Sequence, residues 1–427
     1  VGVLLLLSAC RTSGQKPAAS ASPSEQPFAE ASWPRPYSPE QQALLAPVDV
    51  AIRMPAMRTY PDLERFGYSP NRRMGDVREG LEFTKMVAEV LRDSPRFYVL
   101  SDARPELANL EAQYGPASAP EADGFQRVDR GADGLGVLHA AEVSEPARAA
   151  FERGVALLNG DKAAEAVLAL RDAATKGPDV PAFATALADA LARTGDVAGA
   201  EAAYRRALGV DPTYATAHRG LAELLFKRGD VAGAQAALAE ALAWYPPSLA
   251  TRASADRMAV GGGAQRVQPY AVFFEVDAVG AVHVASSGGD PGAMYASCRA
   301  VLRYEPELRS AIFRQPPSTP YYLSMAEEIV CLEAAMGAYV TDRLDEGSAA
   351  PDDPALEALL TLAKAEGLSG YVMFEILGMH RPERARTAPA DVHQAMVDYV
   401  KRYVLAPAST SVTPSTHSAL NEAPSLP

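Results

Sequence analysis

The sequence predicts a mainly α protein. An α-solenoid of about three helix pairs occupies the middle, with a mixed α/β region before it and a mostly helical region containing a β-hairpin after it. Three observations carry this. Alanine, the strongest helix former, leads a hydrophobic share of 48%. Small residues, a Gly-Asp pair and a closing Pro recur at a fixed interval between residues 147 and 248. Further on, two short apolar runs flank the turn residues Asp277 to Gly280, which reads as a hairpin.

A chain of 427 residues is long for one domain and suggests two or three compact units plus tails. The net charge of −13 argues against nucleic acid, whose phosphates need clustered Lys and Arg. The basic stretches at Arg72-Arg73 and Arg381 to Arg386 read as solvated loops. No internal apolar run approaches the roughly 20 residues that span a bilayer.

Residues 1–10 end in Leu7-Ser8-Ala9-Cys10 after the apolar run Val3 to Leu7. A run this short cannot span a membrane but can be the end of a signal-peptide core. The tetrad resembles the lipobox of bacterial lipoproteins. That resemblance implies lipidation of Cys10, removal of the preceding peptide and anchorage in the cell envelope. The basic segment expected before the run is missing, which fits a truncated start or a non-ATG start. Residues 11–40 are rich in Pro, Ser, Ala and Gln and have the composition of a flexible tether. Arg11 follows the Cys where an Asp would signal inner-membrane retention, so the expected place is the outer membrane, facing the periplasm.

Residues 41–140 are mixed. Val77, Leu81, Thr84, Ala88 and Leu91 recur at helical spacing behind Asp76 as N-cap. Ser94-Pro95 closes that helix, Phe97 to Leu100 reads as a strand, and a second helix is expected over Pro105 to Tyr114. Ala117 to Gly136 reads as a Pro-, Gly- and Asp-rich connection.

The repeat occupies residues 147–248. With Pro181 as its first position, Leu187, Ala188 and Leu191 face inward, Gly195-Asp196 turns the chain, Ala200, Tyr204 and Ala207 follow, and Pro212 closes the unit. From Ala215 the series is Leu221, Ala222, Leu225, Gly229-Asp230, Ala234, Leu238, Ala241 and Pro246. Ala at the crossings lets two helix backbones approach, Gly supplies the left-handed reversal and Pro stops the second helix. A preceding unit from Ala147 (Gly154, Leu157, Ala166, Leu170, Ala173, Pro178) is degenerate, because its Gly160-Asp161 turn is displaced by one residue. The pattern and its 34-residue period resemble the tetratricopeptide repeat. That resemblance implies a concave face built from the first helix of each pair, which takes an extended peptide or a helix of a partner protein. Mapped onto matching positions, the face would hold Thr185, Asp189 and Arg193, then Arg219, Glu223, Phe226 and Lys227. An exposed Phe226 beside Arg219 and Lys227 would serve as anchor, since aromatic and Arg side chains dominate interface energies. The other reading is that Phe226 packs against the helix that follows.

Residues 267–405 combine the hairpin (Val272 to Val276 and Ala281 to Val284) with helices expected over Pro291 to Tyr304, Tyr321 to Leu344 and Ala390 to Val404. Residues 406–427 are Ser-, Thr-, Pro- and Ala-rich and should be disordered. Beyond Cys10, the only cysteines are Cys298 and Cys331, both in apolar helical patterns. In an oxidising compartment the expectation is a disulfide, with free buried thiols the other outcome.

Signatures of catalysis are missing: the sequence holds no His-Glu-x-x-His, Cys-x-x-Cys, Gly-x-x-x-x-Gly-Lys or Gly-x-Ser-x-Gly. His218, His283 and His380 read as structural or solvated. Glu327-Glu328 and Asp352-Asp353 read as solvated faces, and Gly261 to Gly263 as a linker. The expectation is a non-enzymatic, lipid-anchored envelope adaptor that binds a protein partner, needs no cofactor or metal and could assemble a secretion or surface apparatus. The alternative is an enzyme or ligand-binding unit within 267–405, with the repeats as its regulatory arm.

Overall fold

The computed structural model describes residues 84–405, except 85–86, 89, 93, 95, 101–124, 132–135, 259–266, 268, 287–288, 314–317, 319–320, 345–352 and 366. Cys10, the tether, Asp76, the helix expected over Pro105 to Tyr114, Gly261 to Gly263, Asp352 and the tail lie outside the described residues.

The repeat region forms seven consecutive helices: α1 (Glu145–Asn159), α2 (Ala163–Lys176), α3 (Pro181–Thr194), α4 (Val197–Val210), α5 (Ala215–Lys227), α6 (Val231–Trp244) and α7 (Leu249–Arg257). Each helix packs on the next in the α1–α6 series. The alanines of the repeat sit at those crossings, with Ala188, Ala200, Ala207, Ala222, Ala234 and Ala241 wholly buried, so the backbones approach without side-chain bulk between them. Two turns are built alike. Gly195 and Gly229 hold φ of 84°, a left-handed conformation that costs glycine nothing. The Asp after each accepts a bond from the backbone N–H three residues on, Asp196 from Gly199 and Asp230 from Gly233, both at 2.9 Å. In the degenerate unit the left-handed residue is Asp161, at φ 59°, and the cap position holds Lys162, which makes no side-chain cap. The turn therefore stays in register although its glycine has slipped to the position before.

A second unit is assembled from distant segments. The residues described between 84 and 92 are helical, and Thr84 bonds the carbonyl of Ala334. Strand β1 (Tyr98–Leu100) pairs in parallel with β5 (Val282–Ser286), and β5 pairs antiparallel with β4 (Val272–Val276), giving the order β1-β5-β4. Helix α8 (Gly289–Tyr304) packs on this sheet, and α9 (Pro306–Phe313), α10 (Met325–Leu344), α11 (Pro354–Lys364), α12 (Leu368–Tyr371), α13 (Pro382–Thr387) and α14 (Ala390–Tyr399) follow in the chain. Two π-helical stretches, Val372–Leu377 and Val400–Val404, continue α12 and α14. The run Tyr371 to Leu377 is buried throughout. Cys298 of α8 and Cys331 of α10 are joined as a disulfide with their Cα atoms 5.4 Å apart.

Three features differ from the sequence reading. The basic stretch Arg381 to Arg386, read as a solvated loop, falls mostly in α13, with Arg384 buried and Arg386 bonded to Asp211. The stretch read as a connection contains β2 (Gln126–Arg130), paired antiparallel with β3 (Gly136–Ala140). In β2 only Val128 is buried, so the alternating apolar pattern that announces a strand is missing. The pair Glu327-Glu328, read as a solvated face, is fully inside. Tyr321 donates to Glu327 at 3.0 Å, Tyr295 donates to Glu328, and Arg299 lies 3.4 Å from Glu328. Burial raises both carboxyls, against the neighbouring Arg charges, and takes Glu327 to about 7. Helix α10 is buried on every side over most of its length, so adjacent residues both face protein.

The hydrophobic cores divide inside the repeat array. Leu170, Phe183, Leu187, Leu191 and Tyr204 belong to one core. Leu238 and Leu242 of α6 belong to the other, with Val282, Leu302, Val330, Phe374 and Val397. Helix α6 is thus built into the C-terminal unit, while α5 straddles the two cores, giving Ala217 and Leu224 to the first and Ala222 to the second.

Candidate partner-binding face

The first helices of the array, α1, α3, α5 and α7, present one face, and the second helices, α2, α4 and α6, the other. At the C-terminal end the second-helix face is covered. The rings of Trp244 and His393 of α14 stack with centroids 3.4 Å apart and 9° between planes. His393 Nε2 lies 2.8 Å from Glu240 Oε2, and Arg130 of β2 sits over the Trp244 ring. On the first-helix side Arg193, Thr216, Lys227, Ala253 and Arg257 are exposed.

The side chains of that face form a ladder at the repeat spacing, Asp189, Glu223 and Arg257 occupying one position in successive helices. Tyr204 donates to Asp189 at 2.5 Å. Its ring reaches there because position 220 is glycine: a Cβ at Gly220 would lie 2.4 Å from the Tyr204 ring. Burial raises the Asp189 carboxyl, opposed by the Tyr204 bond and the charges of Arg219 and Arg193. Burial also raises the Tyr204 phenol, with Asp189 adding to it, so the pair stays hydrogen-bonded at neutral pH. Glu223 accepts from Arg219 at 3.1 Å, Ser254 at 2.6 Å and Arg257 at 3.1 Å. The result is a chain of alternating charges across three helices.

The expected site residues fall into three groups. Asp189, Arg219 and Glu223 come together in the ladder. Arg193 lies beside it and reaches back to the degenerate unit, donating to the Leu158 carbonyl at 2.8 Å and to Asp161 at 2.6 Å; Lys227 is exposed at the end of α5. Phe226 is not the exposed anchor: it is partly buried against the C-terminal core. Thr185 is buried too, its hydroxyl bonded to the Pro181 carbonyl at 2.8 Å. Ser254 and Arg257 escaped the sequence reading, and Tyr204, read as a packing position of the repeat, was not placed on the face. Carrying the period one helix past residue 248 would have found the first two, because α7 takes the place of a fourth first helix.

Asp211 ties the array to both β2 and α13. Asp211, fully buried in the α4–α5 turn, accepts from the Val128 N–H of β2 at 3.2 Å, from Thr213 N–H at 2.9 Å and hydroxyl at 2.7 Å, and from Arg386 of α13 at 2.9 Å. Beside it a recess of about 240 Å³ opens between the N-terminal ends of α5 and α7, lined among others by Tyr214, Thr216, Arg219, Tyr245, Thr251 and Arg386.

Among the described residues no group of His, Cys, Asp and Glu is arranged to hold a metal ion, and no helix is long and apolar enough to cross a membrane. His218 lies against the Pro212 carbonyl and His283 against Asp277, each within 2.9 Å. His380 is lowered by burial and by the charges of Arg299 and Arg381.

The family model of the tetratricopeptide repeat matches residues 194–255, from the end of α3 into α7. That segment is a tetratricopeptide repeat, and repeats of this kind point to a protein–protein interaction adaptor. No curated protein matches the chain.

Proposed function

We propose that the chain is a non-catalytic adaptor that docks a protein partner on the first-helix face of its repeats. The observation carrying this is the asymmetry of the array. Its second-helix face is packed under the C-terminal unit at α6, while the first-helix face presents a ladder of charge and hydroxyl groups with exposed Arg and Lys along it. On this reading the face is concave and receives an extended segment or helix of the partner. Cys10 is its lipid anchor, and the bacterial cell envelope, with the outer membrane facing the periplasm, is its place. Assembly of a secretion or surface apparatus is the setting that suits such an anchored adaptor.

A photo-crosslinking residue placed at Arg193 or Ala253 should capture the partner in intact cells, and one placed at Arg205, on the opposite face, should not. Equal capture from both faces would overturn the docking reading. Separately, Cys10→Ser should move the protein from the membrane to the soluble fraction, and unchanged fractionation would remove the anchor.

A further inference from the structure

The recess beside Asp211 is composite. The array supplies Tyr214, Thr216, Arg219 and Thr251, the link before α7 supplies Tyr245, and the C-terminal unit supplies Arg386. Its lining holds two guanidinium groups and no carboxylate. The acids lie behind them: Asp211 holds Nη2 of Arg386, whose Nε and Nη1 donate more weakly to Thr213 Oγ1 at 3.3 Å and Gln126 Oε1 at 3.4 Å, and Glu223 holds Nη1 of Arg219. Arg219 makes no other hydrogen bond among the described residues, so its Nε and Nη2 donors remain. The hydroxyls of Tyr214, Thr216 and Tyr245 likewise make none among the described residues. Burial raises the Tyr214 phenol, outweighing the Arg386 charge, so it is a donor at neutral pH. Ala215, Ala250 and the two Tyr rings give the walls an apolar part.

We infer that this recess receives a carboxylate-bearing residue of the docked partner, its charge between Arg219 and Arg386 and its aliphatic stem against the Tyr and Ala walls. The volume suits one side chain. The charge distribution selects the anion: the two guanidinium groups are the only charged groups of the lining, and Glu223 behind Arg219 is shared with Arg257, so a carboxylate meets positive charge at the wall, while a phosphate dianion meets stronger repulsion from Asp211 and Glu223. The site is incomplete in the repeats alone, because Arg386 lies outside them. The inference rests on the docking reading, since Arg219 belongs both to the face and to the recess.

The test is ligand-observed saturation-transfer NMR on the full chain with four probes. These are an N-acetylated, C-amidated tetrapeptide with one Glu among alanines, its Gln counterpart, an alanine tetrapeptide with a free C-terminal carboxylate, and inorganic phosphate. One or both carboxylate peptides should bind saturably with Kd of roughly 1 mM, and the Gln peptide at least about tenfold more weakly. Preference between the first and third probes distinguishes an acidic side chain from a chain terminus. Arg219→Gln should weaken the carboxylate probe roughly tenfold, while Arg205→Gln, exposed on the opposite face, should not. Saturable binding of none of the probes, phosphate binding as tightly as carboxylate, or a Kd unchanged by Arg219→Gln would each overturn the inference. Crosslinking at position 193 separates the two readings. Capture that survives Arg219→Gln with no carboxylate binding sinks the recess and keeps the face; no capture at 193 or 253 sinks the face itself.

Discussion

Helices α4 and α6 hold the same place in consecutive repeat units, 34 residues apart, yet one faces solvent and the other lies inside the molecule. Both open with Val-Ala-Gly-Ala behind an Asp cap, and both bury their crossing alanines. Their outer positions differ. Arg205, Arg206 and Val210 of α4 become Ala239, Glu240 and Trp244 in α6. Arg205 is exposed, whereas Ala239 is wholly buried and Trp244 nearly so. The repeat pattern fixes how a helix packs within the solenoid, and the positions it leaves free decide whether the unit ends in water or in another domain. Here these substitutions, together with exposed Gly209 becoming buried Ala243, turn a solvent face into a docking face for α14.

The largest effect should come from undoing that conversion. Ala239→Arg restores the α4 residue at a site with no room and no water, so it should cost about 3–5 kcal/mol and release the C-terminal unit from the array. The mirror change, Arg205→Ala, should stay within about 0.5 kcal/mol. Urea unfolding with limited proteolysis of the α6–α14 junction measures both, and equal effects at the two positions would refute the comparison.

Next in size is Trp244→Ala, which removes an indole sandwiched between His393 and Arg130 and should cost about 3 kcal/mol. Val210→Ala, at the equivalent, partly exposed site, should cost about 1 kcal/mol or less. The same urea titrations decide this.

A smaller, pH-dependent effect belongs to Glu240. Burial tends to raise its carboxyl, but the bond and charge of His393, with His218 and Lys401, hold it below the ordinary 4.5. A depressed carboxylate adds stability above its ordinary value, and that contribution disappears as pH falls through the folded value. The junction should therefore weaken below about pH 4.5 in the natural protein. In Glu240→Gln this step should be absent, with Tm lowered at neutral pH. Tm profiles from pH 3 to 8 that coincide for the two proteins would count against the Glu240–His393 pair as a link between the units.

What could be read beforehand follows from how local the cause is. The helix pairs, their turns and the ladder residues Asp189, Arg219 and Glu223 are set by short-range periodicity, and they were legible. So was the β4–β5 hairpin, whose apolar runs flank a turn with Gly280 at φ 84°. Phe226 stayed open between an exposed anchor and a packed ring, because whether a ring on that helix edge meets water depends on a core that local periodicity does not show; it is partly buried against that core. Strand β2 was missed because its anchors are one buried Val and a bond to Asp211, neither a sequence pattern. Glu328 looked solvated because its partners Tyr295 and Arg299 lie on another helix, and Glu327 because its partner Tyr321 is a phenol before the helix and not a charge at helical spacing. Asp211 reads locally as a turn residue before Pro212, and only the assembled molecule makes it a junction.

The degenerate first unit allows a final, small test of the same logic, since there the difference lies in the turn and not in the outer face. Its first-helix alanine Ala147 and second-helix Ala166, Leu170 and Ala173 are buried as the repeat demands, so its packing is intact. What it lacks is the cap: Lys162 stands where Asp196 and Asp230 accept a backbone N–H in the next two units. Lys162→Asp should supply that acceptor, place an acid at the positive end of α2, and find Glu165 three residues on to complete a reciprocal box. The loss is an exposed Lys162–Glu165 pair at 4.0 Å, which contributes little. The expected gain is about 1 kcal/mol, seen as slower amide hydrogen exchange in α2 relative to α4. If exchange in α2 is unchanged, the unit's weakness lies in the strained left-handed Asp161, and repairing the cap alone does not restore a regular repeat.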